Sequence, residues 1–143
     1  MTGQNEFLAF LARLCLVLIF PFSALSKVFD YQSAMQQAAH GWIVLPPALA
    51  KLLLVLGGML EVVGPLCILL NFYRRQAALL FIFYIVATAV LFHNFWSFPV
   101  NSDAWNQNFW PFLKNFGLVG GFLYIATDAK MRSLGDAFSW KSQ

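Results

Sequence analysis

Four apolar stretches, Phe7 to Ser26, Ala48 to Leu70, Ala77 to Trp96 and Phe109 to Thr127, constrain this chain more than anything else in it. Each is close to the roughly 20 residues that cross a hydrocarbon layer about 30 Å thick. No water inside such a layer can satisfy backbone N–H and C=O groups, so each stretch is predicted to be helical. The alternative, a soluble core, fails on composition. Of 143 residues 60% are hydrophobic and 10% charged, whereas soluble domains carry about 25% charged residues. A domain of this size buries only roughly 70% of its unfolded surface, so the apolar excess must face lipid. The expected fold is all-α: a four-helix transmembrane bundle, antiparallel and up-down-up-down, formed by residues 1–143 as a single domain.

The residues between the stretches support this division. Pro46 and Pro47 precede the second span, Asn71 with Arg74 and Arg75 makes a polar turn, and Pro99, Asn101, Ser102 and Asp103 separate the third span from the fourth. Pro111 is expected in the first turn of the fourth span, where a missing N–H costs nothing. Tyr31 to His40 reads as a short interfacial helix between spans one and two, with Ala34, Met35 and Ala38 on its apolar side. The opening MTGQNEFLAFLARL has no basic segment before its apolar part and carries Arg13 within it, so it is read as a retained span rather than a signal peptide. Lys and Arg accumulate on the cytoplasmic side. Arg74 and Arg75 in the turn after span two, and Lys130, Arg132 and Lys141 in the tail 128–143, therefore place both termini in the cytoplasm. Trp42, Trp96, Trp105 and Trp110 then fall together near the outer interface, and the expected location is a bacterial-type cytoplasmic (inner) membrane.

The net charge of +3 does not imply nucleic acid, because the nine Lys and Arg residues are dispersed and form no stripe for phosphates. Cys15 and Cys67 each lie in an apolar run without a C-x-x-C spacing or a neighbouring His, which argues against a dithiol motif or a metal site.

Charges inside the apolar runs are the chemical signal. Arg13, Glu61 and Lys114 interrupt spans one, two and four, and His93 lies near the outer end of span three. Each would cost a few kcal/mol or more if turned toward lipid, so they are expected to face one another or a wet cavity. Helical spacing puts Glu61 on one face with Gly57, Gly58 and Gly64, and Lys114 with Gly117 and Gly121; small residues of this kind let helices approach closely. Counting 1.5 Å per residue from the cytoplasmic ends places Arg13 roughly 9 Å deep and Glu61 roughly 14 Å deep on an antiparallel neighbour. A structural Arg13–Glu61 ion pair follows from that count. Lys27, Lys51, His93, Lys114 and Asn115 form an outer set, from which Lys27, His93, Lys114 and Asn115 are the candidate ligand-binding residues. They would line an electropositive cavity suited to a small anion or a quinone carbonyl. Plainer roles stand beside these: a buried pair that only fixes helix register, lysines that snorkel to the interface, a hydrogen-bonded His at a helix end, and glycines that serve packing alone.

The segments LARLCLVLIFPFSALSKVFDY, LLLVLGGMLEVVGPLCILL with the turn FYRRQAA, ATAVLFHNFW, and NFWPFLKNFGLVGGFLYIA together resemble the DoxX family of small four-helix membrane proteins. The resemblance runs from about residue 7 to 127 and matches the recurring polar positions to Arg13, Lys27, Glu61, His93, Lys114 and Asn115. It implies a membrane subunit of an oxidoreductase system, with a quinone or a small anion as the expected ligand, no cofactor fixed beyond that quinone, and a protein partner or a homo-oligomer alongside the lipid bilayer. The chain carries no self-contained catalytic motif, so a non-catalytic scaffold that recruits or stabilises a partner protein is the alternative expectation. A small-solute transporter is a weaker one, because no inverted repeat is visible.

Overall fold

The computed structural model describes residues 3–39 and 42–127. Among them the regular structure is all helical: α1 (Gly3–Val17), α2 (Ile19–Phe29), α3 (Tyr31–Ala39), α4 (Pro47–Leu69), α5 (Arg74–Phe92), a 3-10 turn (Phe95–Ser97) and α6 (Asp103–Thr127). Three segments are long and apolar enough to cross a membrane: Phe7–Phe29, Pro47–Leu69 and Arg74–Ser97. Their outward faces carry side chains that water would reject, such as Phe22 at 64% exposed and Phe83 at 77%. The last helix, α6, matches them in length but not in apolarity, because Asn106, Gln107, Asn108, Lys114 and Asn115 lie within it.

Prolines and turn residues set the local breaks. The first apolar stretch is two helices abutting at Leu18 and continuing to Phe29. Pro21 offers no N–H to the Val17 carbonyl, which accounts for the interruption at that point. Pro47 opens α4 at its first position, as proline should. The end of α4 is closed by Asn71 in the left-handed conformation, φ 59°. There the Phe72 amide bonds the Cys67 carbonyl at 2.8 Å and the Asn71 amide bonds the Ile68 carbonyl at 3.4 Å, a closure that satisfies two otherwise orphaned carbonyls. Ser102 caps α6 by accepting from the Trp105 amide at 3.1 Å. Because α6 starts at Asp103, Pro111 lies inside the helix and not in its first turn, contrary to the sequence expectation.

Packing is centred on three rings. Phe20 of α2, Phe81 of α5 and Phe122 of α6 lie with centroids 4.4, 4.8 and 5.8 Å apart. On α5 the buried positions Ala77, Ala78, Phe81, Ile85 and Ala89 recur every three or four residues and form one face of the helix. Gly64 of α4 sits against Phe81: a Cβ there would lie 2.5 Å from the ring, so only glycine allows this approach. At one end, α3 occupies the segment read as interfacial, with Ala38 packed on Ala50 and flanked by Met35 and Leu45. His40, and the tail 128–143 with Lys130, Arg132 and Lys141, lie outside the described residues. The expected aromatic cluster is present beside α3. Trp42 meets Trp96 edge-on at 5.6 Å, and Phe95 joins Trp96 to Trp105 and Phe109. The Trp42 indole also donates to the Val90 carbonyl at 2.6 Å, serving one of the last four carbonyls of α5, which have no partner within the helix.

Candidate functional site

Glu61 lies on the buried stripe of α4, between Gly57 and Gly64, and is 3% exposed. A carboxylate in that position needs donors, and α2 and α5 supply them. The Ser23 hydroxyl donates to Oε1 at 3.1 Å and the Tyr84 hydroxyl to the same oxygen at 2.7 Å. Lys27 makes an ion pair with Oε2 and donates a second hydrogen bond to the Ser23 hydroxyl at 3.0 Å. Ser23 and Lys27 are four residues apart on α2 and so share a face. Gly57 makes room for the tyrosine, since a Cβ there would stand 3.1 Å from the Tyr84 ring.

The ion pair predicted for Glu61 is therefore corrected: the cation is Lys27, not Arg13. Arg13 lies ten residues before Ser23, about 15 Å back along the helix, and its Nε–H donates to the Ala9 carbonyl at 3.0 Å. The sequence count assumed that the cytoplasmic ends of the two antiparallel spans, the start of span one and the end of span two, lie at equal depth. Tilted packing of Phe20 against Phe81, itself seated on Gly64, instead sets Ser23 level with Glu61.

The network forms one wall of a cavity of about 230 Å³. His93, at the end of α5, Asn115 of α6, Thr88 and Gln37 supply the rest of its polar lining. Among the described residues no buried side-chain nitrogen or oxygen lacks a partner. Of the four residues expected to bind a ligand, Lys27, His93 and Asn115 thus share one cavity. Lys114 does not: it is exposed on α6, as is Lys51 on α4. The lysine expected to make this cavity electropositive is instead paired with Glu61 on its lining, and neither Lys51 nor Lys114 is among the lining residues. The sequence reading missed Ser23, Tyr84, Thr88 and Gln37. A tyrosine hydroxyl in the middle of an apolar span was the available signal, because a buried phenol seeks a hydrogen-bond partner.

A second cavity, of about 390 Å³ and almost wholly apolar, adjoins the first and shares Lys27, Tyr84, Thr88 and Phe92 with it. It lies between α4 and α5 and is lined by Leu53, Leu56, Leu60, Leu80, Phe83 and Ala87, among others.

The family model for DoxX matches residues 8–94. The chain belongs to the DoxX family. The matched region holds Ser23, Lys27, Glu61, Tyr84 and His93 but stops short of α6 and Asn115. The chain is also similar to the inner membrane protein YphA of Escherichia coli (strain K12), 33% identical over 119 residues that cover 83% of this chain and 81% of YphA. No solved structure matches it. With three apolar helices of spanning length, it is a DoxX-family integral membrane protein of the multi-pass kind.

Proposed function

We propose that this DoxX protein is a membrane subunit of an oxidoreductase system that holds the head of a quinone in the polar cavity. The observation that carries the reading is the charge-neutral Lys27–Glu61 pair, braced by Ser23 and Tyr84, on the wall of a cavity that also presents His93 and Asn115. A neutral head with two carbonyl oxygens fits that lining better than an anion does. Donors are available from His93 and Asn115, and no unmatched positive charge remains to hold an anion. In this reading α6 is a fourth span, the bundle is antiparallel, and both termini are cytoplasmic. The location is the inner membrane, as for YphA.

The test is equilibrium binding of a short-chain benzoquinone to the purified full-length protein in lipid nanodiscs. His93→Ala and Asn115→Leu should each weaken binding about tenfold, the worth of one good hydrogen bond in a dry site. No saturable binding by the unaltered protein, or unchanged affinity in both variants, ends the proposal. Its oxidoreductase part is tested separately, by recovering a redox enzyme that reduces or oxidises the quinone with this protein in mild detergent.

A second reading, a scaffold for a partner protein, draws on α6. Lys114 is exposed halfway along it, and beyond the helix's own adjoining residues nothing lies within 4 Å of where a Cβ would project from Gly117 or Gly120. A partner's membrane helix with a carboxylate opposite Lys114 suits that face, since small residues permit close approach and a mid-span charge gains from a counter-charge. The same pull-down with Lys114→Ala and Gly117→Leu tests it, because loss of the co-purifying protein is expected and its retention refutes the reading.

A further inference from the structure

We infer that the apolar cavity between α4 and α5 is the chamber for the ligand's hydrocarbon chain, entered sideways from the bilayer, and that Ala87 keeps it open. The inference rests on the reading of the polar cavity given above. Three observations carry it. The two cavities are neighbours, with Lys27, Tyr84, Thr88 and Phe92 lining both, so a molecule whose head occupies the polar cavity has only those side chains between it and an apolar chamber for its tail. The chamber is large: apolar cavities of about 150 Å³ already stay dry and take up small hydrocarbons, and this one is about 390 Å³. Lastly, its outer rim is made of side chains that face outward, Leu53 at 43% exposed, Leu56 at 51%, Leu80 at 57% and Phe83 at 77%, so the chamber opens where acyl chains would lie.

The occupant is thus a single apolar chain joined to a compact neutral head. Within lipid the chamber gains little from the hydrophobic effect, because the chain is already out of water. What it offers is shape, and shape is set by the small residue on its wall. Ala87 lies one turn beyond Tyr84 on α5 and is half-buried. A phenyl ring at that position would occupy chamber volume without removing a hydrogen-bonding group of the polar cavity.

The experiment compares the intact protein with Ala87→Phe in nanodiscs, with affinity expressed per lipid. The probes are a dimethoxy-methyl-benzoquinone bearing no chain and the same head bearing two isoprenyl units. Ala87→Phe should weaken the chain-bearing probe about tenfold or more, the effect of crowding a fitted chain, and leave the bare head within about twofold, well under the same tenfold step. Leu80→Trp at the rim, which narrows the entrance, is the second variant and should slow uptake of the chain-bearing probe alone. A separate arm uses a decyl chain with a terminal photoactivatable diazirine and no quinone head. It should label α4 and α5 residues of the chamber in the intact protein and lose that labelling in Ala87→Phe. If the bare head fails to bind yet the diazirine chain labels the chamber, the quinone reading falls and the chamber stands. If both quinones respond equally to Ala87→Phe, or labelling is the same in variant and parent, the chamber is refuted whatever the head does.

Discussion

Replacing Lys27 by Met takes the cation from a carboxylate that is 3% exposed, whereas the lysine itself is 24% exposed. The two halves of the pair are therefore not equivalent. In Lys27→Met a buried Glu61 keeps only the Ser23 and Tyr84 hydroxyls as donors, and stranding a buried charge in this way costs about 3–5 kcal/mol. In Glu61→Gln the amide oxygen can still accept from both hydroxyls, and the lysine has room to turn toward the cavity. The loss is then nearer that of one hydrogen bond to a charged group, about 1.5–3 kcal/mol. The double variant, with Met against Gln, contains no charge to strand and should fall below the sum of the singles by about 1–3 kcal/mol, the range for residues in one network. Equilibrium unfolding by dodecyl sulfate in mixed micelles, followed by tryptophan fluorescence and by circular dichroism, measures all three. If Lys27→Met proves no worse than Glu61→Gln, or the two losses simply add, Glu61 is not the dependent partner and the site has been misdescribed.

The glycines should separate by neighbour. Gly64→Ala drives a methyl to 2.5 Å from the Phe81 ring and should cost about 1–3 kcal/mol. Gly121→Ala meets only the flexible end of Leu16 and should cost under about 1 kcal/mol, while Gly117→Ala, with nothing near it, should gain up to about 1 kcal/mol of helix stability. Trp42→Phe keeps the ring contact with Trp96 but strips the donor from the Val90 carbonyl, so about 0.5–1.5 kcal/mol should be lost in the same unfolding assay. Asn71→Gly should be neutral or better and Asn71→Ala should lose about 1–2 kcal/mol, because the closing residue of α4 is left-handed; thermal unfolding by circular dichroism distinguishes them.

Much of this was legible in the residues. The first three apolar stretches match the three spanning segments, Pro47 marked the start of α4, the Asn71 turn fell where expected, and the tryptophans expected together meet in one aromatic cluster. Two things were not. Sequence reports distance along one helix but not the height of one helix against another, and that offset, fixed by Phe20, Phe81 and Gly64, exchanges Arg13 for Lys27 at Glu61. It also does not say which rule governs when two conflict on one helix. Treating Lys114 as obliged to face inward turned α6 by its charge. The packed face follows the apolar spacing instead, with Phe122, Ile125 and Ala126 buried and Asn115 and Leu118 beside the cavity. A long lysine stem can carry its charge toward the interface, so its position constrains rotation less than a buried phenylalanine does.

The swap of Arg13 for Lys27 alters what the cavity can hold. An arginine pair deep in the bundle would have left Lys27 unmatched near His93, an arrangement that attracts anions. With Lys27 committed to Glu61 and Ser23, an entering anion would have to compete with a carboxylate already in place, and in a medium of low dielectric constant the displaced Glu61 would be left facing another negative charge. A neutral carbonyl avoids both costs. In the proposed reading it accepts from His93 or Asn115 while the ion pair stays closed, and the buried charges would serve as a fixed, internally balanced dipole that orients the quinone head. Ser23 and Tyr84 hold that dipole rigid by donating to the same oxygen of Glu61. On that reading Ser23→Ala or Tyr84→Phe should weaken quinone binding in nanodiscs more than it lowers stability to dodecyl sulfate, and an effect on stability alone would refute the role.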